Sequence, residues 1–184
     1  MTVETDILSG RRGSKAEGIR GIKPSRTIEQ NVLDSLVYRG IISQDNVLAA
    51  LDDAKDGSLD LETLLLDRYR VPKEALGSAL SDFYQCPYLP YDERTVIDAD
   101  LLKTLNLDYL NTNLWLPIAR RGSLIDVLTC DPHDLDKGWD VRRTFPGMTI
   151  RYAVGLRRDI EQFLHLATGQ GRAGAGPSAL FSVS

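Results

Sequence analysis

No apolar run in this chain approaches the ~20 residues that a membrane-spanning helix needs. The first residues, MTVETDILSGRRGSK, are polar and charged and lack the apolar core of a secretory signal. The expected compartment is therefore the cytoplasm. Cysteine is scarce: Cys86 and Cys130 are the only two, and neither belongs to a paired motif. That excludes a disulfide framework or a four-cysteine zinc site and suits small core residues in a reducing compartment. Histidine is equally scarce. His133 and His165 are too far apart for a zinc helix of the HExxH kind. His133, in Asp131-Pro132-His133-Asp134, reads as a helix start after a strand rather than a catalytic residue.

Catalytic motifs are absent as well. Gly13 and Gly18 have the glycine spacing of an ATPase phosphate cradle, but Ile19 and Arg20 stand where Lys and Ser/Thr are required. Gly169-Gln170-Gly171-Arg172-Ala173-Gly174 matches the dinucleotide fingerprint in form only, since it follows a helix and not a strand. No nucleophile elbow, EF-hand loop or paired acid–base set is visible, so no catalytic residue, cofactor or metal is expected. Asp52, Asp53 and the acids at 56–62 read as a solvated face.

The net charge of −4 argues against general affinity for nucleic acid. Basic residues nevertheless crowd the start of the chain at Arg11, Arg12, Lys15, Arg20, Lys23 and Arg26. Residues 1–27 read as a disordered basic lead. Contact with anionic lipid or another acidic surface is the sharper reading of that lead.

The strongest positive signal is a helical hairpin written twice. NVLDSLVYRGIISQDNVLAALDDA (31–54) overlays DLETLLLDRYRVPKEALGSALSDF (60–83). Leu36 and Val37 meet Leu65 and Leu66, Ile42 meets Val71, Val47 meets Leu76, Ala50 meets Ala79 and Leu51 meets Leu80. Repeated units bury their apolar faces against one another and leave a groove between them. Thr27 is the expected N-cap of the first helix, Gly40 its C-cap and Ser43 the N-cap of the next. Pro72 suits the start of the fourth helix, where a missing amide costs nothing. Residues 28–85 are thus expected to form four short helices.

Cys86-Pro87-Tyr88-Leu89-Pro90 ends the helical pattern. Asp98 should cap a helix carrying Leu101, Leu102, Leu105 and Leu107. Strands are expected at 114–119 and 123–130, joined as an antiparallel hairpin by Arg121-Gly122. A helix at 133–144 with Leu135, Trp139 and Val141 apolar, a strand at 149–154 and an amphipathic helix at 156–167 complete the pattern. Residues 86–168 are expected to be a small α/β sandwich with a short mixed sheet, so the fold class is α+β. Residues 169–184, rich in Gly, Ala and Ser, read as a flexible linker or tail.

The order of these features, two degenerate helical hairpins, then FYQCPYLPYD (83–92), a strand with Leu116-Pro117 and a strand ending in Asp131-Pro132, resembles the N-terminal domain of type II secretion and type IV pilus assembly ATPases, the MshEN-like domain. The likeness covers about residues 28–168. It implies a non-catalytic module that docks onto an inner-membrane platform protein and is linked to an ATPase motor domain, either in the same chain or separate. It also implies a location at the cytoplasmic face of the inner membrane, with the membrane touched only through a partner or the basic lead. Some members bind cyclic di-GMP through tandem motifs of the form RLGxxLLxxGLLxxxxLxxxLxxQ.

By position, the first motif's RLG falls on Asn31, Val32 and Leu33, its internal glycine on Gly40 and its final Gln on Ala54. In the second copy these become Asp60, Leu61 and Glu62, then Tyr69, then Phe83. The leucine scaffold is kept and the nucleotide-reading groups are not. Neither Asn31 nor Asp60 replaces the forked cationic donor of arginine, and Asp60 would repel a phosphate. The expected function is therefore protein docking, with Tyr38, Arg39, Arg68 and Tyr69 as contact residues. The alternative is a cyclic di-nucleotide receptor with a non-standard site using Arg39, Arg68 and Arg70.

Overall fold

The computed structural model describes residues 28–167, apart from Asp56 and Ser58. The expectations for the basic lead, for the Thr27 cap and for the 169–184 tail lie outside the described residues.

Helix α1 spans Ile28–Tyr38 and α2 Gln44–Lys55. Gly40 takes φ +68°, and the turn closes by bonds from Gly40 N to Val37 O and from Ile41 N to Leu36 O, both 2.9 Å. This left-handed closure is the reason for glycine here. Ser43 Oγ accepts from Asn46 N at 3.2 Å and caps α2. Helix α3 is one turn, Leu61–Thr63, capped by Asp60, and it widens into a π-helical turn over Leu64–Arg68. Helix α4 follows at Lys73–Tyr84, with Pro72 just before it.

The repeat holds at the level of packing. Leu36 and Leu65, Ile42 and Val71, Val47 and Leu76, and Ala50 and Ala79 are all buried. α1 packs along α4, and α2 lies against α3 and its π-helical continuation. The two copies differ at one point. The wide turn carries one more residue, so bonds run from Tyr69 N to Leu64 O and from Val71 N to Leu65 O. The left-handed conformation passes to Arg70 (φ 55°), while Tyr69, aligned with Gly40, stays right-handed.

The second half contains α5 (Ala99–Leu102), α6 (Leu107–Asn113), β1 (Trp115–Arg121), β2 (Leu124–Thr129), α7 (Leu135–Thr144), β3 (Thr149–Val154) and α8 (Arg157–Ala167). The sheet order is β1-β2-β3. The β1–β2 pair is antiparallel and the β2–β3 pair parallel, as a crossover through α7 requires. A register shift between Pro117 and Ala119 absorbs the missing proline amide in this edge strand. The linker between α4 and α5, residues 85–98, also joins the sheet: Leu89 N bonds to Val154 O and Val154 N to Pro87 O, each at 2.9 Å.

The architecture is the expected one, with two local corrections. The single helix expected after Asp98 is two, because Asn106 Oδ1 accepts from Tyr109 N and starts a new helix. On α7, Val141 is buried but Leu135 and Trp139 face solvent, so the expected apolar stripe does not point into the core.

Each half has its own core. Trp115, Leu116, Val127, Leu128, Ile160 and Phe163 anchor the α/β core, and Leu33, Leu36, Leu65, Val71 and Leu76 the helical one. Leu156, just before α8, belongs to the helical core although it follows the sheet. The two halves therefore meet at the start of α8.

Candidate functional site

The repeat's groove survives as a cavity of about 300 Å3 between α1, α3, α4 and the end of β2. It is lined by the residues that the tandem motif would use: Val32 and Leu33 next to Asn31, and Leu61 and Glu62 next to Asp60. Leu65, Leu76, Leu80 and Leu156 make the floor apolar. Glu29, Glu62 and Asp131 place carboxylates on the lining.

Glu62 sits where the second motif has the glycine of its RLG, and its side chain reaches the first turn of α8. Its Oε2 accepts from Arg157 N at 2.9 Å and its Oε1 from Arg158 N at 3.2 Å. A helix N-terminus is an anion site, and here the chain's own carboxylate fills it. Burial raises the Glu62 pKa above its ordinary value. The two amide bonds and Arg157 oppose that shift, and Asp60 adds to it.

The sign of this shift gives a pH prediction. Protonation is favoured more strongly in the folded state than in the unfolded one. Stability from this group is therefore fully present below the ordinary glutamate range and is lost as pH rises through the folded value. The free-energy difference between wild type and Glu62→Gln, measured by urea unfolding, should move against wild type from pH 4 to pH 7. A difference that stays constant, or moves the other way, refutes the assignment.

At Asp60, burial raises the pKa, but bonds from Thr63 N (3.0 Å) and Thr63 Oγ1 (2.8 Å), with Arg157, outweigh it and leave the carboxyl below its usual range. Asp60 thus stays anionic at the mouth of the second motif. Across the cavity, burial and the Asp131 carboxylate push the Tyr84 phenol upward. Burial likewise raises the Cys130 thiol, against the pull of Lys137 Nζ at 3.5 Å. Neither group is primed as a nucleophile. Among the described residues no cluster of His, Cys, Asp and Glu could hold a metal.

The remaining motif positions play structural parts. Asn31 and Ala54 are half-buried on α1 and α2. Phe83 packs edge-on against Tyr84 and at a tilt against His133, with centroids 5.0 and 5.9 Å away. His133 packs edge-on against Tyr84 at 4.9 Å, and Asp134, not His133, caps α7.

The four expected contact residues separate. Tyr38 is 92% exposed. Arg39 is tied to α4 by an ion pair with Asp82 and a 3.1 Å bond to Ser78 Oγ. Arg68 and Tyr69 converge on Asp53, at 2.8 and 2.9 Å, with the guanidinium 5.8 Å from the Tyr69 ring. Asp53 is therefore part of a cluster rather than a solvated face.

Sequence reasoning missed the seam between the halves. Asp159, fully buried in the first turn of α8, accepts from Tyr88 Oη at 2.9 Å and Tyr91 N at 3.0 Å and pairs with Lys73 of α4. Arg158 forks onto Asp67 at 2.7 and 3.1 Å. The one sequence signal was an acid in the first turn of a strongly amphipathic helix, which ordinarily reads as a dipole partner in water.

No helix among the described residues is long and apolar enough to cross a membrane. The chain is similar to the type II secretion system protein E of Xanthomonas campestris pv. campestris, 24% identical over 159 residues. That alignment takes in 82% of this chain but only 27% of the relative. Among solved structures it is similar to MshE with cdg (TM-score 0.59, 20% identity), covering 77% of this chain and 99% of that one. The N-terminal domain of XpsE is also similar (TM-score 0.55, 18% identity), with 78% and 97% covered. These likenesses show a shared α+β fold. The MshEN domain family matches from Tyr84, the last residue of α4, through residue 174. The MshEN domain family model thus covers the linker after α4, the whole sheet and α8 of this chain.

Proposed function

We propose that this chain is a non-catalytic docking module of a bacterial secretion or type IV pilus assembly ATPase, or of a related envelope machine. In this reading it ties a motor domain to an inner-membrane platform protein at the cytoplasmic face of that membrane. The observation that carries it is Glu62. At the motif position nearest the start of α8, a carboxylate already occupies the helix N-terminus, with Asp60 close enough to act on it and Glu29 adding a further acid to the cavity lining. A cyclic di-nucleotide with two phosphates would have to displace Glu62 and bind beside further acids. Each lost charge-assisted bond removes ~1.5–3 kcal/mol. What persists is an apolar scaffold with an open groove, which suits a protein partner.

The second reading rests on the likeness to MshE with cdg. A non-standard nucleotide site would have to recruit Arg39, Arg68 or Arg70. Arg39 is engaged by Asp82 and Arg68 by Asp53, which weighs against it.

Calorimetric titration of the full chain with cyclic di-GMP tests both readings, with no binding expected in the micromolar range. Micromolar or tighter binding would overturn the first and support the second. Co-purification with the cytoplasmic domain of a platform protein encoded nearby is the positive test. Failure with every neighbouring candidate counts against docking.

A further inference from the structure

Helix α7 turns its largest apolar residues outward. Leu135 is 79% and Trp139 68% exposed. They lie four residues apart, and the exposed Arg142 and Arg143 follow on the next turn, so one helix face carries Leu, Trp, Arg and Arg in line. The other tryptophan, Trp115, is buried in the α/β core.

Topology gathers more positive charge beside this face. The four residues 145–148 bring the end of α7 back to Thr149 at the start of β3, and Thr149 N bonds to Ser123 O at 2.8 Å. Arg142 and Arg143 therefore stand at the same end of the sheet as the β1–β2 turn, which presents the exposed Arg120 and Arg121. Arg151, near the start of β3, is exposed as well.

The acids available to offset these five arginines are largely engaged. Asp126 serves both Arg151 at 2.6 Å and Arg121 at 3.7 Å. Asp134 caps α7, and Asp140 accepts from Tyr109 Oη. Asp136 is the exposed acid on α7. The local balance is positive on a chain whose net charge is −4.

We propose that this face of α7, with the adjacent arginine end of the sheet, is a peripheral contact for an anionic lipid bilayer. Tryptophan and leucine on an exposed helix face suit the headgroup–acyl boundary, where an indole keeps its body apolar and its N–H wet. Arginine beside them suits lipid phosphates. A folded acidic partner would more naturally be met by a groove, and Leu135 and Trp139 line none of the described cavities. This proposal is independent of the docking reading, because it uses the opposite half of the molecule.

The full chain is tested by flotation with vesicles of phosphatidylglycerol and phosphatidylcholine, and with phosphatidylcholine alone. Trp139 doubles as a reporter, since Trp115 is already shielded. Flotation with anionic vesicles and a blue shift of emission are expected, with neither for neutral vesicles. Arg142→Glu/Arg143→Glu should lower the partition coefficient roughly 30-fold or more, at about fivefold per arginine. Leu135→Ser/Trp139→Ser should abolish flotation with the circular dichroism spectrum unchanged. Failure to float, equal binding to neutral vesicles, or binding that survives both double substitutions overturns the proposal. The last result would assign lipid binding to the basic lead. An equal blue shift with a soluble polyanion such as heparin, without lipid, also overturns it.

Discussion

Asp159→Ala should lower the unfolding free energy by about 3 kcal/mol, the low end of the cost of breaking a buried ion pair. The carboxylate is wholly buried and holds three groups from two other parts of the chain: Lys73 from α4, and Tyr88 and Tyr91 from the linker. Removing it strands the Tyr91 amide and the Tyr88 hydroxyl away from acceptors. Lys73 is partly exposed and can turn to water, which keeps the loss from being larger. Asp159→Asn should cost less, because one carbonyl oxygen remains to accept from Tyr91. Urea unfolding monitored by far-UV circular dichroism measures both, with an unchanged slope expected if unfolding stays two-state. A loss under 1 kcal/mol for the alanine variant would mean that the network contributes little to joining the halves.

Gly77→Ala is expected to destabilise by about 2 kcal/mol, against the helix propensity that favours alanine by ~1 kcal/mol in the middle of α4. The reason is the same linker tyrosine. A Cβ at Gly77 would lie 2.2 Å from Tyr88 Cε1 and 2.4 Å from Cζ. The ring has little room to retreat, because its hydroxyl is bonded to Asp159 and its backbone neighbours are bonded to Val154. The decisive comparison is made in a Tyr88→Ala background, where the clash is gone and Gly77→Ala should become neutral or stabilising. Equal destabilisation in both backgrounds would place the cost elsewhere. Gly77, Tyr88 and Asp159 form one packed unit, so their effects should couple rather than add.

Much of the fold is legible in the amino-acid sequence. Apolar residues recurring at helical spacing locate α1, α2 and α4, and the overlay of the two copies matches buried residue to buried residue. The alternation around Arg121-Gly122 locates the β1–β2 hairpin, and the Asp131-Pro132 break locates its end. These signals are local: periodicity, caps and turn chemistry act over a few residues. The exchange of the motif's arginine and glycine positions for Asn31, Asp60 and Glu62 is equally visible, and with it the weakened case for a nucleotide.

Other features depend on distance in space. The pattern Leu61, Leu64, Leu65 reads as an ordinary helix. The widened π turn, and the left-handed conformation at Arg70 in place of the aligned Tyr69, depend on how that hairpin packs against α2. Leu135 and Trp139 read as core residues because hydrophobicity marks a candidate for burial without supplying a partner; the crossover of α7 turns them to solvent. The roles of Glu62 and Asp159 have no sequence signal that names their partners, which lie 95–96 and 68–86 residues away.

The sequence by itself determined the doubled hairpin, the mixed sheet and most of the elements, and it puts Asn31 and Asp60 where the resemblance expects arginine, because each follows from residues close together in the chain. Only the tertiary structure decided that the start of α8 joins the two halves, that Glu62 closes the anion position in the groove, and that α7 presents an aromatic and basic face outward. Those outcomes depend on which surfaces meet, and burial, capping across elements and clustered charge exist only once distant segments have been brought together.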